Sequence, residues 1–259
     1  MNRIKNLMRK TLPYGLIVKI NELRGYSYLD GEIEVQKKVN FYKSFLNGGD
    51  LVFDVGANYG NRVHPFLLLS TRVVAVEPLP DCVRYLKYKF GNKIEIENIC
   101  LGAKKGQSDL FVGKVNVIST LSSKFMTRTI ESGRFSTKSW GESIKVRVST
   151  LDELVAKHGT PKFVKIDTEG YEMEVISGLS KPVQYLSFEY TLPEFSKDLI
   201  DILNTLDAKG NMLINLSVGE QMKFVLERWI PLAEFVSFIK KYMEQLAGWG
   251  DIYVKFDIS

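Results

Sequence analysis

Leu51-Val-Phe-Asp-Val-Gly-Ala-Asn-Tyr-Gly60, followed by Val73-Val-Ala-Val-Glu-Pro78, decides the fold of this chain. An apolar run ends in Asp54, breaks into a loop holding Gly56, Asn58 and Gly60, and gives way to a second apolar run that ends in the carboxylate Glu77. That order reads as strand, tight turn, helix, strand, acid. Val52, Phe53 and Val55 are β-formers on a short run suited to burial on both faces, as in parallel strands between helices. Gly56 and Gly60 let the backbone turn sharply and approach a ligand, and Asn58 tolerates the left-handed conformation. Glu77, 23 positions after Asp54 (77 − 54), ends the neighbouring strand beside this cradle, where a carboxylate can accept both hydroxyls of a ribose. Pro78 stops the strand.

The Gly-x-x-x-Gly spacing differs from the dinucleotide pattern Gly-x-Gly-x-x-Gly, and alone it fits an ordinary strand-to-helix turn equally well. The informative departure is Asp54. A carboxylate aimed at the loop repels a pyrophosphate but attracts a cofactor carrying an ammonium and a sulfonium, which favours S-adenosylmethionine over NAD.

Farther along, Lys162-Phe-Val-Lys-Ile-Asp167 is a third apolar run ending in an acid, with Glu169, Glu172 and Glu174 close behind, and Gln184-Tyr-Leu-Ser-Phe-Glu-Tyr190 delivers Glu189. In an open parallel sheet ligands collect outside the carboxyl ends of the strands, so Asp167 and Glu189 are expected at one edge. Strand alternation puts Lys165 on the side of Asp167 as an ion pair. Glu169 and Glu172 are expected in the first turn of the next helix, where the dipole favours acids without any function, and the same argument makes Glu172 and Glu174 structural. Tyr190, Thr191 and Pro193 are candidates for a substrate rim.

Asp54-Val-Gly-Ala-Asn-Tyr-Gly60, Val76-Glu-Pro78, Ser149-Thr-Leu-Asp-Glu-Leu154 and Phe163-Val-Lys-Ile-Asp-Thr-Glu-Gly-Tyr-Glu-Met-Glu-Val-Ile-Ser-Gly178 resemble, in order, the blocks of the FkbM family of S-adenosylmethionine-dependent methyltransferases. The resemblance covers residues 51 to 178. It implies a class I methyltransferase (Rossmann-like) α/β fold: a seven-stranded, mostly parallel sheet, helices on both faces and an antiparallel last strand. It also implies methyl transfer to an oxygen of a sugar, glycan or secondary metabolite. Asp54, Gly56, Asn58, Gly60, Glu77 and Pro78 are then the cofactor-binding set, joined by Asn98 and Leu101 at the end of the third strand, where the family places adenine contacts.

An alcohol is a poor nucleophile until its proton leaves, so a base is required; Asp167 is the first candidate, with Glu189 and Glu169 next. Hard carboxylates suit Mg²⁺, but the Asp/Asp/Asn set of catechol-type methyltransferases is not recognisable, and no metal ligand is assigned. His64 on the first helix and His158 in a surface loop are given no role, and the Tyr85/Lys89 spacing of short-chain dehydrogenases falls in the wrong place for one. Two other readings stay open: a nucleotide-dependent oxidoreductase on the same cradle, and an inactive binding protein that keeps the fold.

Composition agrees with an ordinary globular chain of one α/β core: 259 residues, 45% hydrophobic and 25% charged. No apolar run approaches the roughly 20 residues that span a membrane, no secretory signal is visible, and Cys82 and Cys100 are too few for a disulfide framework, so a cytoplasmic location is expected. The Asn215-Leu-Ser217 sequon then carries no meaning. Of the net charge of +5, residues 1 to 50 supply four (nine Lys/Arg, five Asp/Glu). Arg3, Lys5, Arg9 and Lys10 interleave with Ile4, Leu7 and Met8 as in a basic amphipathic helix, suited to packing beside the fold or to weak contact with an anionic membrane surface. Nothing reads as a nucleic-acid module.

The expected organisation is a helical extension over 1–45 and a methyltransferase domain over 46–259, interrupted at 104–146 by an insertion between strands 3 and 4. Its β-like runs flank a polar stretch with Arg128, Arg134, Lys138 and Trp140, which fits a lid offering polar and aromatic groups to a polyol. After the first strand a helix is expected over about 59–70, and after the second a helix from Asp81, its cap, to about Phe90. The tail is expected to add a helix over 194–209, strands over 212–218 and 223–229, a helix from Pro231, a flexible return through Gly248-Trp-Gly250 with Trp249 plugging the sheet edge, and a final strand over 251–256.

Overall fold

The computed structural model describes residues 13–23, 27–113, 118–136 and 139–257. The expected basic helix through Arg3 and Lys10 lies outside them, as does Lys138. The described strands are β1 (Leu51–Val55), β2 (Arg72–Val76), β3 (Ile94–Glu97), β4 (Cys100–Leu101), β5 (Gly106–Gly113), β6 (Trp140–Ser149), β7 (Phe163–Ile166), β8 (Tyr185–Leu192), β9 (Met212–Val218) and β10 (Gly248–Phe256). The helices are α1 (Tyr14–Leu23), α2 (Glu32–Tyr42), α3 (Val63–Leu68), α4 (Pro80–Phe90), α5 (Ser123–Glu131), α6 (Leu151–His158), α7 (Glu172–Ser177), α8 (Ser196–Asp207) and α9 (Leu232–Tyr242).

Every residue of β1 is buried, so the strand needs cover on both faces, and the sheet supplies it at the centre. Seven strands run in the order β3-β2-β1-β7-β8-β10-β9; the first five are mutually parallel, and β10 inserts antiparallel between β8 and β9. This is the class I methyltransferase arrangement. Leu51, Phe53 and Val55 face a core shared with α6, α7, α8 and α9, while Val52 faces one shared with α2, α3 and α4. In the second core Phe163 is fully buried among the rings of Tyr42, Phe45, Phe66 and Tyr253. Residues 32–46 are thus packed into the sheet's own core through Phe41, Tyr42, Phe45 and Leu46.

The segment expected over 104–146 is part of a unit that runs from 100 to 149: β5 and β6 pair antiparallel and β4 joins β6, making a three-stranded sheet with its own apolar cluster around Leu110, Val146 and Val148. Helix α5 is laid over the edge of the main sheet: Phe125 stacks on Phe195, and Arg134 pairs with Glu194 at 3.0 Å.

Local departures from expectation have physical causes. The first helix begins at Val63 instead of about 59, because Asn58 (φ +48°) and Gly60 (φ +92°) prolong the loop. Asp81 does not cap α4; Leu79 is the N-cap and Pro80 the first helical residue, with Asp81 inside the first turn. Residues 223–229 are no strand. The buried Asn215 carboxamide binds both the carbonyl and the amide of Leu226, interrupting a ladder of which Val225 N–H to the Leu216 carbonyl at 2.9 Å and the Ile230–Ile214 bridge remain. The same burial removes Asn215 from the surface. Gly248–Gly250, expected as a flexible return, is the first part of β10; a Cβ on Gly250 would meet the Ser217 carbonyl at 2.3 Å and the Tyr190 ring at 2.9 Å. Trp249, expected at the sheet edge, lies on a strand flanked on both sides.

Candidate active site

The carboxyl ends of β1, β2, β7 and β8 converge on one cavity of about 470 Å³. It is walled by Asp54, Glu77, Asp167, Glu169 and Glu189 from the main sheet and its loops, by Leu101 from β4, and by Ile118–Leu121 from the cap. Gly56, Asn58 and Pro78 also line it, whereas Gly60 and Asn98 do not. Asn98 acts one step back: its side-chain amide donates to the carbonyls of Glu77 at 2.9 Å and Pro78 at 3.0 Å, fixing the wall behind them.

Asp54 and Glu77 are 2% and 4% exposed. Burial raises the Asp54 carboxyl to about 7 against the pull of Lys165 and Arg62, and Oδ2 has no hydrogen-bond partner. Glu77 is likewise raised to about 7 by burial, opposed by the amides of Leu79 and Asn58, which donate to its two oxygens at 2.7 and 2.8 Å. Glu77 therefore shapes the glycine loop as well as facing the cavity.

The glycines serve the protein before any ligand. A Cβ on Gly56 would lie 1.8 Å from the Asp167 carbonyl oxygen, and one on Gly60 would strike the Phe90 ring at 2.5 Å. With φ of +85° and +92°, both positions also exclude ordinary side chains. The loop after β1 and the loop after β7 touch backbone to backbone.

The Asp167 carboxylate accepts from Lys165 Nζ at 3.1 Å, as strand alternation requires. Lys165 is 0% exposed and also pairs with Asp251 at 3.0 Å. Burial works against that ammonium, but Asp167 and Asp251 hold it well above the usual lysine range. The chain of charges continues from Asp251 to Arg62 at 3.7 Å, from Arg62 to Glu220 at 2.7 Å and from Glu220 to Lys38 at 3.1 Å. Burial alone would raise Glu220; Arg62 and Lys38 bring it down to about 2.

Glu169 and Glu189 form the opposite case. Burial first, then repulsion from Asp167 and Glu172 on Glu169 and from Glu169 and Asp167 on Glu189, pushes both carboxyls well above the usual range. Asp167, Glu169 and Glu189 bring carboxylate oxygens within 4.8 Å of one another, so this trio could hold a metal ion. Glu169 stands at φ +54°, and the Glu172 carboxylate holds that turn by accepting from the amides of Thr168 at 3.0 Å and Gly170 at 3.1 Å. Glu172 is therefore a structural clamp.

Other expectations are redistributed. Trp140 does not face the cavity: it is buried in the cap and donates to the Ile118 carbonyl at 2.8 Å. Trp249 does line the cavity. Thr191 lines it too, while Tyr190 is buried and Pro193 is not in the wall. His64 lies beside Phe90, away from the cavity, and His158, at the end of α6 instead of in a loop, contacts Glu97 at 2.7 Å. Lys38, Arg62, Glu220 and Asp251 were not anticipated. Arg62 and Glu220 are 158 positions apart, and no local pattern joins them.

A family model described as Methyltransferase FkbM domain matches residues 54–213. No curated protein matches the sequence. Among solved structures, the chain is similar to a TehB-like SAM-dependent methyltransferase from Corynebacterium glutamicum (10% identity, covering 94% of this chain and 96% of that one, TM-score 0.44). It is also similar to an O-methyltransferase from Bacillus cereus in complex with SAH (10% identity, 98% and 96%, TM-score 0.43). A third is a precorrin-6y C5,15-methyltransferase from Geobacter metallireducens (10% identity, 86% and 87%, TM-score 0.41).

Proposed function

Because the chain belongs to the FkbM methyltransferase family, we propose that it moves the methyl group of S-adenosylmethionine to a hydroxyl of a sugar, glycan or secondary metabolite. The observation that carries the choice of donor is Asp54, a buried carboxylate with an unpartnered oxygen on a cavity rich in acids. Such a group costs free energy unless a cation reaches it, and an amino-acid ammonium answers that need where a pyrophosphate does not. When bound, the donor supplies an electrophilic methyl carbon on a positively charged sulfur.

The protein's own residues do the rest. Asp54 holds the ammonium, Glu77 presents a carboxylate to the ribose hydroxyls, and Pro78, Leu101 and the Asn58 turn enclose the nucleoside. Asp167 takes the proton from the acceptor hydroxyl, with Lys165 fixing the carboxylate and Glu189 and Glu169 flanking it. Holding the hydroxyl in line is the larger contribution to rate, and the cap from α5 to β6 helps to exclude water. The acidic wall disfavours nucleic acid as acceptor. No described helix is long and apolar enough to cross a membrane, and Cys82 and Cys100 are free and buried, which supports a cytoplasmic reaction.

Incubation with methyl-labelled S-adenosylmethionine and fractionated extract of the source cell, followed by mass spectrometry, tests this reading. Label in a hydroxyl-bearing small molecule or glycan is expected; failure of the purified protein to bind S-adenosylhomocysteine in calorimetry overturns it.

A further inference from the structure

Trp249 is 43% exposed and lines the main cavity. The other two tryptophans serve the protein's interior: Trp140 is buried in the cap, and Trp229 packs edge-on against Tyr185 and Phe224. Among the described residues Trp249 alone of the three has no ring neighbour. Strand order places it relative to the chemistry. Glu77 follows β2, Asp54 lies on β1, Asp167 follows β7, Glu189 is on β8 and Trp249 on β10, so the base stands between the donor strands and the indole.

The register of β8 and β10 fixes the spacing. Trp249 is opposite Thr191, and Asp251 is opposite Glu189. Alternation puts these four side chains on one face, with Trp249 two residues, about 7 Å, farther out along its strand than Asp251. Asp251 pairs with Lys165, the residue that holds Asp167. The indole is also supported from the side. The Gly219 amide donates to the Trp249 carbonyl at 2.9 Å, and a Cβ on Gly219 would lie 3.9 Å from Cζ2 of the ring. The turn from Val218 to Gln221 thus runs against the indole, and it carries Glu220. Arg62 grips both oxygens of Glu220 at 2.7 and 2.8 Å, and Lys38 adds a contact at 3.1 Å. The buried charge chain therefore fixes the support of the ring at one end and the base at the other. Asn61, Arg62, Thr191 and Glu220 line the same cavity, so polar groups in fixed positions surround an exposed aromatic ring.

We propose that Trp249 is the specificity-determining residue for the acceptor: its indole carries the apolar C–H face of a saturated, polyhydroxylated ring such as a pyranose, with an edge hydroxyl of that ring turned to Asp167. This deepens the function proposed above and rests on it, choosing a ring over an open-chain acceptor. The face of an aromatic ring is electron-rich and draws C–H groups, and a rigid indole does so with little loss of side-chain freedom. Hydroxyls around the rim of such an acceptor both donate and accept, so they suit the mixed groups of Asn61, Arg62, Thr191 and Glu220. A flat phenolic ring would also stack on the indole, but it would take those groups out of water without giving them partners. An open-chain polyol would lose more conformational freedom on binding.

The test is ligand-observed NMR on the full chain with the methyl pyranosides of glucose, galactose, mannose and rhamnose, with glucitol as the open-chain control and phenol as the flat one, each with and without S-adenosylhomocysteine. At least one pyranoside is expected to bind about tenfold more tightly than glucitol and phenol, to receive saturation mainly on one ring face, and to change the tryptophan fluorescence. Trp249→Ala should weaken that binding at least about tenfold, the scale of an aromatic anchor, and Trp249→Phe should restore most of it. Both variants should keep the thermal transition of the natural chain, because the ring is exposed. Undetectable binding of every pyranoside overturns the inference, as does a pyranoside affinity unchanged in Trp249→Ala. Tighter binding of phenol than of any pyranoside overturns it too, and assigns the indole to an aromatic acceptor. Failure of S-adenosylhomocysteine to bind, while pyranoside binding that depends on Trp249 persists, removes the methyl-donor reading and leaves the platform standing.

Discussion

Asp54 ties the chemistry of the site to pH. Its carboxyl stands at about 7, above its ordinary value of 3.8, because it is buried. The folded chain therefore holds a proton on it that the unfolded chain has lost across the window between these values, and the free protein loses stability as pH rises through that window, levelling off above it. Binding of an ammonium runs the other way, since it prefers the ionised form. Affinity for S-adenosylhomocysteine is expected to rise at least tenfold between pH 6 and pH 8 in calorimetry, and to rise less steeply in Asp54→Asn, where Glu77, also at about 7, still titrates. Glu77→Ala should weaken the same binding more than tenfold, the scale of a charge-assisted contact of about 1.5 to 3 kcal/mol; unchanged affinity removes Glu77 from the site. Asp167→Asn should leave binding nearly intact and slow turnover at least a hundredfold in a methyl-transfer assay, the scale of a lost base. These acids were legible in the sequence because each ends an apolar run, and a parallel sheet gathers strand ends at one edge. Arg62, Glu220 and Asp251 were not, since a partner chosen across 158 positions leaves no local trace.

At the scale of elements, β7 is the strand on which most depends. It joins both halves of the sheet, buries Phe163 among four aromatic rings and sends Lys165 into the charge chain. Phe163→Ala should destabilise the fold by about 3 to 5 kcal/mol in denaturant titration, the cost of an aromatic-sized cavity; a loss below 1 kcal/mol would mean the ring cluster closes over the gap. The parallel strands were legible from their apolar runs and terminal acids. The run at 223–229 misled because it has strand-forming residues but an interrupted ladder: Asn215 satisfies the backbone groups of Leu226 with its side chain. Trp140 misled for a related reason. Its aromatic ring reads equally as a substrate platform or as core, and burial in the cap makes it core.

For the whole molecule, residues 32–46 ahead of β1 are bound into the structure. Tyr42 and Leu46 are buried under the sheet, and Lys38 reaches Glu220 at the rim of the site. A chain beginning at residue 46 should expose that aromatic core and fail to give a cooperative thermal transition; a normal transition would show that α2 is dispensable. Nothing in the sequence of α2 pointed to this, since its apolar residues match the sheet only once both are folded. The contact between Gly56 and the Asp167 carbonyl bears on how such enzymes diversify. Because main chain pressed against main chain fixes the spacing between the loop after β1 and the loop after β7, selection can rebuild the cap above them without disturbing the acidic residues that those loops carry.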